Sequence, residues 1–195
     1  MPQPLRASQV EEVRPPPTNV DYLQFGVAFT GEFNLNPGAI CPKDAIAPCI
    51  LGSGGGVAAR AGYRSRGPWY VGGAYEFNRI DTSSLMRLGV LQQLRAEMRY
   101  YYNLGLRTEP YFTSGLGGVA FGNEWGVEAG GLSTYGGFGF EVQLSRENVV
   151  GAALVYRPLL LFGWTDHAEQ HRDTGIAHFV GLDIVLEARE PLGSH

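Results

Sequence analysis

The chain has 195 residues, 44% hydrophobic and only 17% charged, with a formal net charge of −4. Mild acidity argues against a nucleic-acid binder, an aromatic share of 12% argues against a disordered chain, and the absence of any apolar run of about 18 residues excludes helical membrane spanning. Glycine occurs 28 times, roughly twice its usual share, and with so few charges this leaves a membrane β-barrel open.

Residues 1–19, MPQPLRASQVEEVRPPPTN, contain no apolar stretch of the kind a secretory signal needs. Pro15 to Pro17 favour an extended, loosely docked tail. From Asp21 to Phe33, Leu23, Phe25, Val27, Phe29 and Phe33 alternate with Tyr22, Gln24, Gly26, Ala28, Thr30 and Glu32. Such alternation predicts a strand with one large apolar face and one small or polar face. A polar loop, Asn34–Ser53, follows. It holds Cys41 and Cys49 within CPKDAIAPC, a local pair that suits a disulfide in an oxidising compartment. No further cysteine completes a zinc site.

The pattern then repeats. Val57, Ala59, Ala61 and Tyr63 oppose Gly56, Ala58, Arg60, Gly62 and Arg64. Trp69, Val71, Tyr75 and Phe77 oppose Tyr70, Gly72, Ala74, Glu76 and Asn78. Between Met86 and Tyr100 a helix competes, because LMRLGVLQQLRAEMR contains good helix formers. Helical spacing fails at Arg95, whereas alternation sets Met86, Leu88, Val90, Leu94, Ala96, Met98 and Tyr100 against Arg87, Gly89, Gln93, Arg95, Glu97 and Arg99. A strand is therefore expected. Pro110–Phe121 is a fifth strand, with Phe112, Leu116 and Ala120 outward. Thr134–Leu144 is a sixth, Val149–Trp164 a seventh and Ile176–Glu187 an eighth. Pro158 falls inside the seventh, where a missing N–H predicts a bulge or local ladder gap; a lateral opening for lipid is the sharper alternative.

The connections alternate in kind. Those around Arg66, Gly105 and Glu147 read as turns. Asn34–Ser53, Asp81–Leu85, Gly122–Ser133 and Thr165–Gly175 read as polar loops, mostly longer. Short turns at one end and longer loops at the other suit an up-and-down barrel in a bilayer.

A soluble barrel alternates too, but its charged face is outside. Here the polar faces carry Arg60, Arg64, Arg87, Arg95, Arg99 and Arg157 against Glu32, Glu76, Glu97, Glu141, Asp183 and Glu187. Balanced signs suit a closed lumen of paired charges, since a buried unpaired charge is costly. A solvated exterior would use more lysine, and this chain has only Lys43. The predicted lumen network is Glu32, Arg60, Glu76, Arg87, Arg95, Glu97, Arg99, Glu141, Arg157 and Asp183. Aromatics gather at the strand ends in a girdle-like manner: Tyr22, Tyr63, Trp69, Tyr100 to Tyr102 and Tyr111 at one end, and Phe33, Phe77, Phe162 and Trp164 at the other. The fold class expected is all-β, an eight-stranded antiparallel transmembrane barrel over residues 20–189. A Pro-rich tail (1–19) precedes it and a short tail (190–195) follows.

The segments EPYFTSGLGGVAFGN and STYGGFGFEVQLSRENVVGAALVYRP resemble the Gly-rich hairpins of bacterial outer-membrane barrels of the OmpA/OmpX type. Gly181, Ile184 and Leu186 match the spacing of that family's last-strand assembly signal, although EAREPLGSH follows where a terminal aromatic is usual. The resemblance implies an integral protein of the Gram-negative outer membrane, with no room in this chain for a peptidoglycan-binding second domain.

Candidate chemistry is thin. His167 and His171, with Asp166, Glu169 and Asp173 nearby, have a metal-compatible spacing but read better as a solvated loop. A lipid-modifying site would need His178 to meet Ser83 or Ser84 and Asp81, on distant segments. The Gly54–Gly56 run lacks the Gly-Lys-Ser/Thr ending of a phosphate loop. The expected function is a non-enzymatic barrel with a largely plugged lumen, no cofactor and no metal. It would support the envelope and present outer loops for binding or adhesion. Expected partners are membrane lipid, lipopolysaccharide, and a protein met through the loops or within a larger envelope complex, with no nucleic acid. A small pore is the alternative, and a lipid-modifying enzyme or a soluble ligand-binding barrel ranks below it.

Overall fold

The computed structural model describes residues 20–41, 48–102, 106–165, 169 and 171–193. Eight long strands form one closed antiparallel barrel. They are β1 (Asp21–Asn36), β2 (Gly54–Arg64), β3 (Trp69–Ile80), β4 (Gly89–Tyr101), β5 (Thr108–Asn123), β6 (Ala129–Gln143), β7 (Asn148–Leu161) and β10 (Gly175–Leu192). Each pairs with its chain neighbour, and β10 closes the ring on β1 from Asp21↔Leu192 to Asn36↔His178. A two-residue ladder, β8 (Trp164–Thr165) with β9 (His171–Arg172), lies in the last long loop.

The alternation seen in the sequence becomes an inside and an outside. Phe29, Leu94, Leu116, Phe138 and Leu154 are more than 60% exposed, while Thr30, Arg95 and Ala153, each next in sequence to one of them, are buried. In water such an apolar exterior would be an aggregation hazard; in a bilayer it is the solvated face. Closure removes free edges and pairs the strand backbones around the ring.

Several boundaries differ from expectation. β5 reaches Asn123 and β6 starts at Ala129, so the third long loop is only 124–128. The segment from Met86 to Leu88 precedes β4 and is not strand. β10 continues to Leu192, three residues past the boundary expected at 189. The expected tail at 1–19 lies outside the described residues. At Pro158 the β6–β7 register is unbroken, but the pairs opposite Arg157 and Pro158 are missing. The proline thus leaves a local gap and no register shift, because only its own donor is lost.

Four of the eleven aromatics expected in the girdle are buried. Tyr63, Trp69 and Tyr102 are exposed, and Tyr100 packs between Trp69 and Tyr102 with ring centroids 4.9 and 5.5 Å away. Tyr22, Tyr101, Tyr111 and Trp164 are instead buried. Clustering of aromatics near strand ends does not fix their parity, and these four occupy lumen-facing or loop positions.

Candidate functional site

Three tiers stack along the lumen. The lowest lies near the short turns, where Arg99 is its centre. Its Nη1 donates to Glu141 (2.7 Å) and its Nη2 to Glu187 (2.8 Å), and its guanidinium lies 4.7 Å from the Tyr70 ring centroid. Arg64 bridges Glu109 at 2.5 Å and Glu141 at 3.2 Å and stacks 3.8 Å over Tyr101. The Tyr101 hydroxyl donates to Glu141 at 2.6 Å. Arg189 adds bonds to Glu141 and to Gln24, and Gln24 in turn donates to Glu187. Space for these rings comes from glycine. A Cβ on Gly62 would sit 2.6 Å from Tyr70 Cζ, and one on Gly139 2.5 Å from Tyr111 Cζ.

The middle tier holds Arg60, which faces Glu97 (3.4 Å) and Asp183 (3.7 Å), and Arg95, which pairs with Glu76. Just above, Arg157 reaches Glu76 at 2.8 Å and pairs with Glu32. Asn78 links Thr30 (2.7 Å) to Glu76 (2.5 Å). Arginine suits this role because its fixed fork serves two carboxylates at once and stacks on rings. Such a lattice is high in stakes: each buried charge is tolerable only with its partners in place.

The uppermost tier is apolar. Ile80, Leu91, Val119, Phe121, Leu159, Leu161, Ala177 and Phe179 turn inward at the loop end. The first long loop folds down among them, burying Ile40, Ile50 and Leu51 to 1% exposure or less. Each such side chain contributes roughly 1.5–3 kcal/mol of burial. Cys41 and Cys49 form a disulfide and pack against this cluster.

Comparison with solved structures bears on the architecture. The barrel is similar to Neisserial surface protein A, with 14% identity and a TM-score of 0.54 over 86% of this chain and 96% of that one. It is also similar to the outer membrane protein OprG from Pseudomonas aeruginosa, with 14% identity and a TM-score of 0.55 over 91% and 98%. The outer membrane protein AlkL, solved in DMPC lipid bilayers, aligns at 14% identity with a TM-score of 0.53 over 100% and 99%. The fold is that of the small outer-membrane β-barrels. No protein-family model matches the chain, and no curated protein matches it.

Within this barrel, nine of the ten residues expected to line the lumen are buried there: Glu32, Arg60, Glu76, Arg95, Glu97, Arg99, Glu141, Arg157 and Asp183. Arg87 is not. Its side chain is 86% exposed and pairs with Glu124 at 3.1 Å. The alternation expected from Met86 begins three residues before β4, in a connection where parity no longer says which way a side chain points. The network also takes in Arg64, Glu187, Glu109, Arg189 and Gln24, which the expected set does not contain. Arg64 and Glu187 lay on the recognised polar faces. Glu109 and Arg189 lay one or two residues beyond the strand ends expected for β5 and β10, and extending the same parity would have found them.

The remaining candidates disperse. His178 accepts or donates a 2.7 Å hydrogen bond with the Tyr156 hydroxyl and stacks on that ring. Ser83 braces loops instead: its backbone N–H donates to Asp81 at 2.9 Å and its hydroxyl to the Cys49 carbonyl at 2.9 Å. No contact brings His178 to these groups among the described residues. His171 and Asp173 are exposed and 3.7 Å apart; Asp166 and His167 lie outside the described residues.

Proposed function

We propose that this chain is a non-enzymatic integral protein of the bacterial outer membrane. Its barrel anchors and stiffens the envelope, its lumen is plugged, and its loops other than the first face outward to meet a partner. The lumen network acts as the plug. The observation that carries this reading is that Arg99 and Arg157, both 1% exposed, each bridge carboxylates from different strands. A solvated pathway would leave such charges wet. Lipid surrounds the apolar belt, and the phosphorylated sugars of lipopolysaccharide are the neighbours expected at the loop end, where Arg79 and Arg87 are exposed.

Two measurements test it. In detergent, an unboiled sample should migrate differently from a boiled one and should fractionate with outer membranes. In a planar bilayer, the protein should show no steady conductance above background. Reproducible ohmic steps would favour the small-pore alternative, and an aqueous protein without a heat-dependent shift would overturn membrane insertion.

A further inference from the structure

We propose that the two described limbs of the first long loop, residues 38–41 and 48–52, form an intramolecular stopper for the loop-end mouth of the lumen, and that the Cys41–Cys49 bond holds it seated. Loops of a barrel ordinarily run over the surface, because buried loop backbone must find partners. This one goes the other way. Ile40, Ile50 and Leu51 belong to a connection between strands, yet they are 0–1% exposed and sit among inward-facing residues of β3, β4, β5, β7 and β10.

The loop enters and leaves the mouth by two limbs, and each is anchored separately. On the first, a 3₁₀ turn (Gly38–Ile40) packs against β10. Gly38 has φ +61°, and a Cβ there would collide with the Ile176 carbonyl, so only glycine lets the limb lie so close. On the second, Asn34 donates from Nδ2 to the Leu51 carbonyl at 2.6 Å, and Gly52 N–H donates to the Asp81 carbonyl at 2.7 Å. The disulfide ties the two limbs together where both cysteines touch the apolar cluster. With the bond intact, neither limb can lift without stripping the other's anchors. Without it, each limb is held only by its own.

What lies beneath gives the stopper a purpose. Bordering the apolar tier, where Gln93 lies opposite Val119 and Ser133 opposite Leu159 in the ladder, the side-chain polar atoms of Gln93 and Ser133 and the Nε and Nη2 of Arg157 have no hydrogen-bond partner in the structure. These are polar groups that would draw solutes and water into the lumen if the mouth stood open. The lower network closes the far end independently, so the stopper governs access from the loop side alone.

The test uses Ser133→Cys in the full chain as a reporter, in detergent, with a charged methanethiosulfonate as the probe. One background keeps the disulfide, verified by mass; the other carries Cys41→Ser with Cys49→Ser. Labelling is expected to be at least about tenfold faster without the disulfide, because the unseated state becomes more populated, while heat-dependent gel migration persists in both. Equal, slow labelling in both backgrounds would show that packing alone seats the loop and would overturn the role of the bond. Equal, fast labelling would show that the loop does not seal the mouth. If the double serine variant fails to form the barrel, Ile50→Asp with the disulfide intact replaces it. Fast labelling there supports the stopper, and labelling as slow as in the parent overturns it.

Discussion

Arg99 near the turns and Phe179 near the loops are buried alike, at 1% and 0% exposure, yet they close the same lumen by opposite physics. The lower region is held by directional, charge-assisted bonds in which every member depends on its neighbours. The upper region is held by shape and exclusion of water, and tolerates exchange of one apolar side chain for another of similar volume. The difference teaches that an interior wall need not have one character. The lower part builds its seal from strand residues only, whereas the upper part needs a loop to complete it.

Substitutions that act on one region and spare the other sharpen this contrast. Arg99→Ala should be the most damaging, costing about 3–5 kcal/mol, since it leaves Glu141 and Glu187 with a lost buried partner. Unfolding by urea in detergent, followed by tryptophan fluorescence, would check this. Removing Glu187 as well should cost less than the sum of the two single changes. A fully additive pair would break the picture of an interdependent network. Leu159→Ala, in the apolar tier, should cost about 3 kcal/mol through cavity formation. Leu159→Met should stay under about 1.5 kcal/mol, and a larger cost would show the upper tier to be as exacting as the lower. On the outside, Leu94→Arg places a charge where the side chain is 68% exposed on the belt. It should lower stability by about 2–3 kcal/mol in lipid bilayers and by much less when the belt faces a fluid micelle. Arg87→Ala should change stability by no more than about 0.5–1 kcal/mol, because its pair with Glu124 is exposed. A large loss would return Arg87 to the structural network.

The middle of the charged lattice was legible from the chain because Arg60, Arg95, Glu97 and Asp183 sit mid-strand, where a period of two decides inside from outside. Tyr135, Glu141 and Asp183 fall on the inner face by parity alone. The apolar tier was not legible. At the loop ends, inward and outward residues are both apolar, as in the run from Leu159 to Phe162, so alternation carries no contrast there. Nothing in the spacing of Ile40, Ile50 and Leu51 says that a loop will turn inward.

The sequence by itself determined an all-β chain, an apolar exterior, a charge-balanced interior and a cysteine pair in the first long loop, because each follows from local periodicity and composition. Only the tertiary structure decided which arginines share which carboxylates, that Arg87 stands outside, that four aromatics are buried, and that Ile40, Ile50 and Leu51 of the first long loop turn inward. Those outcomes depend on closure and register around the ring. Closure brings Gln24 to Glu187 and Arg157 to Glu32, pairs far apart in sequence that no local pattern encodes.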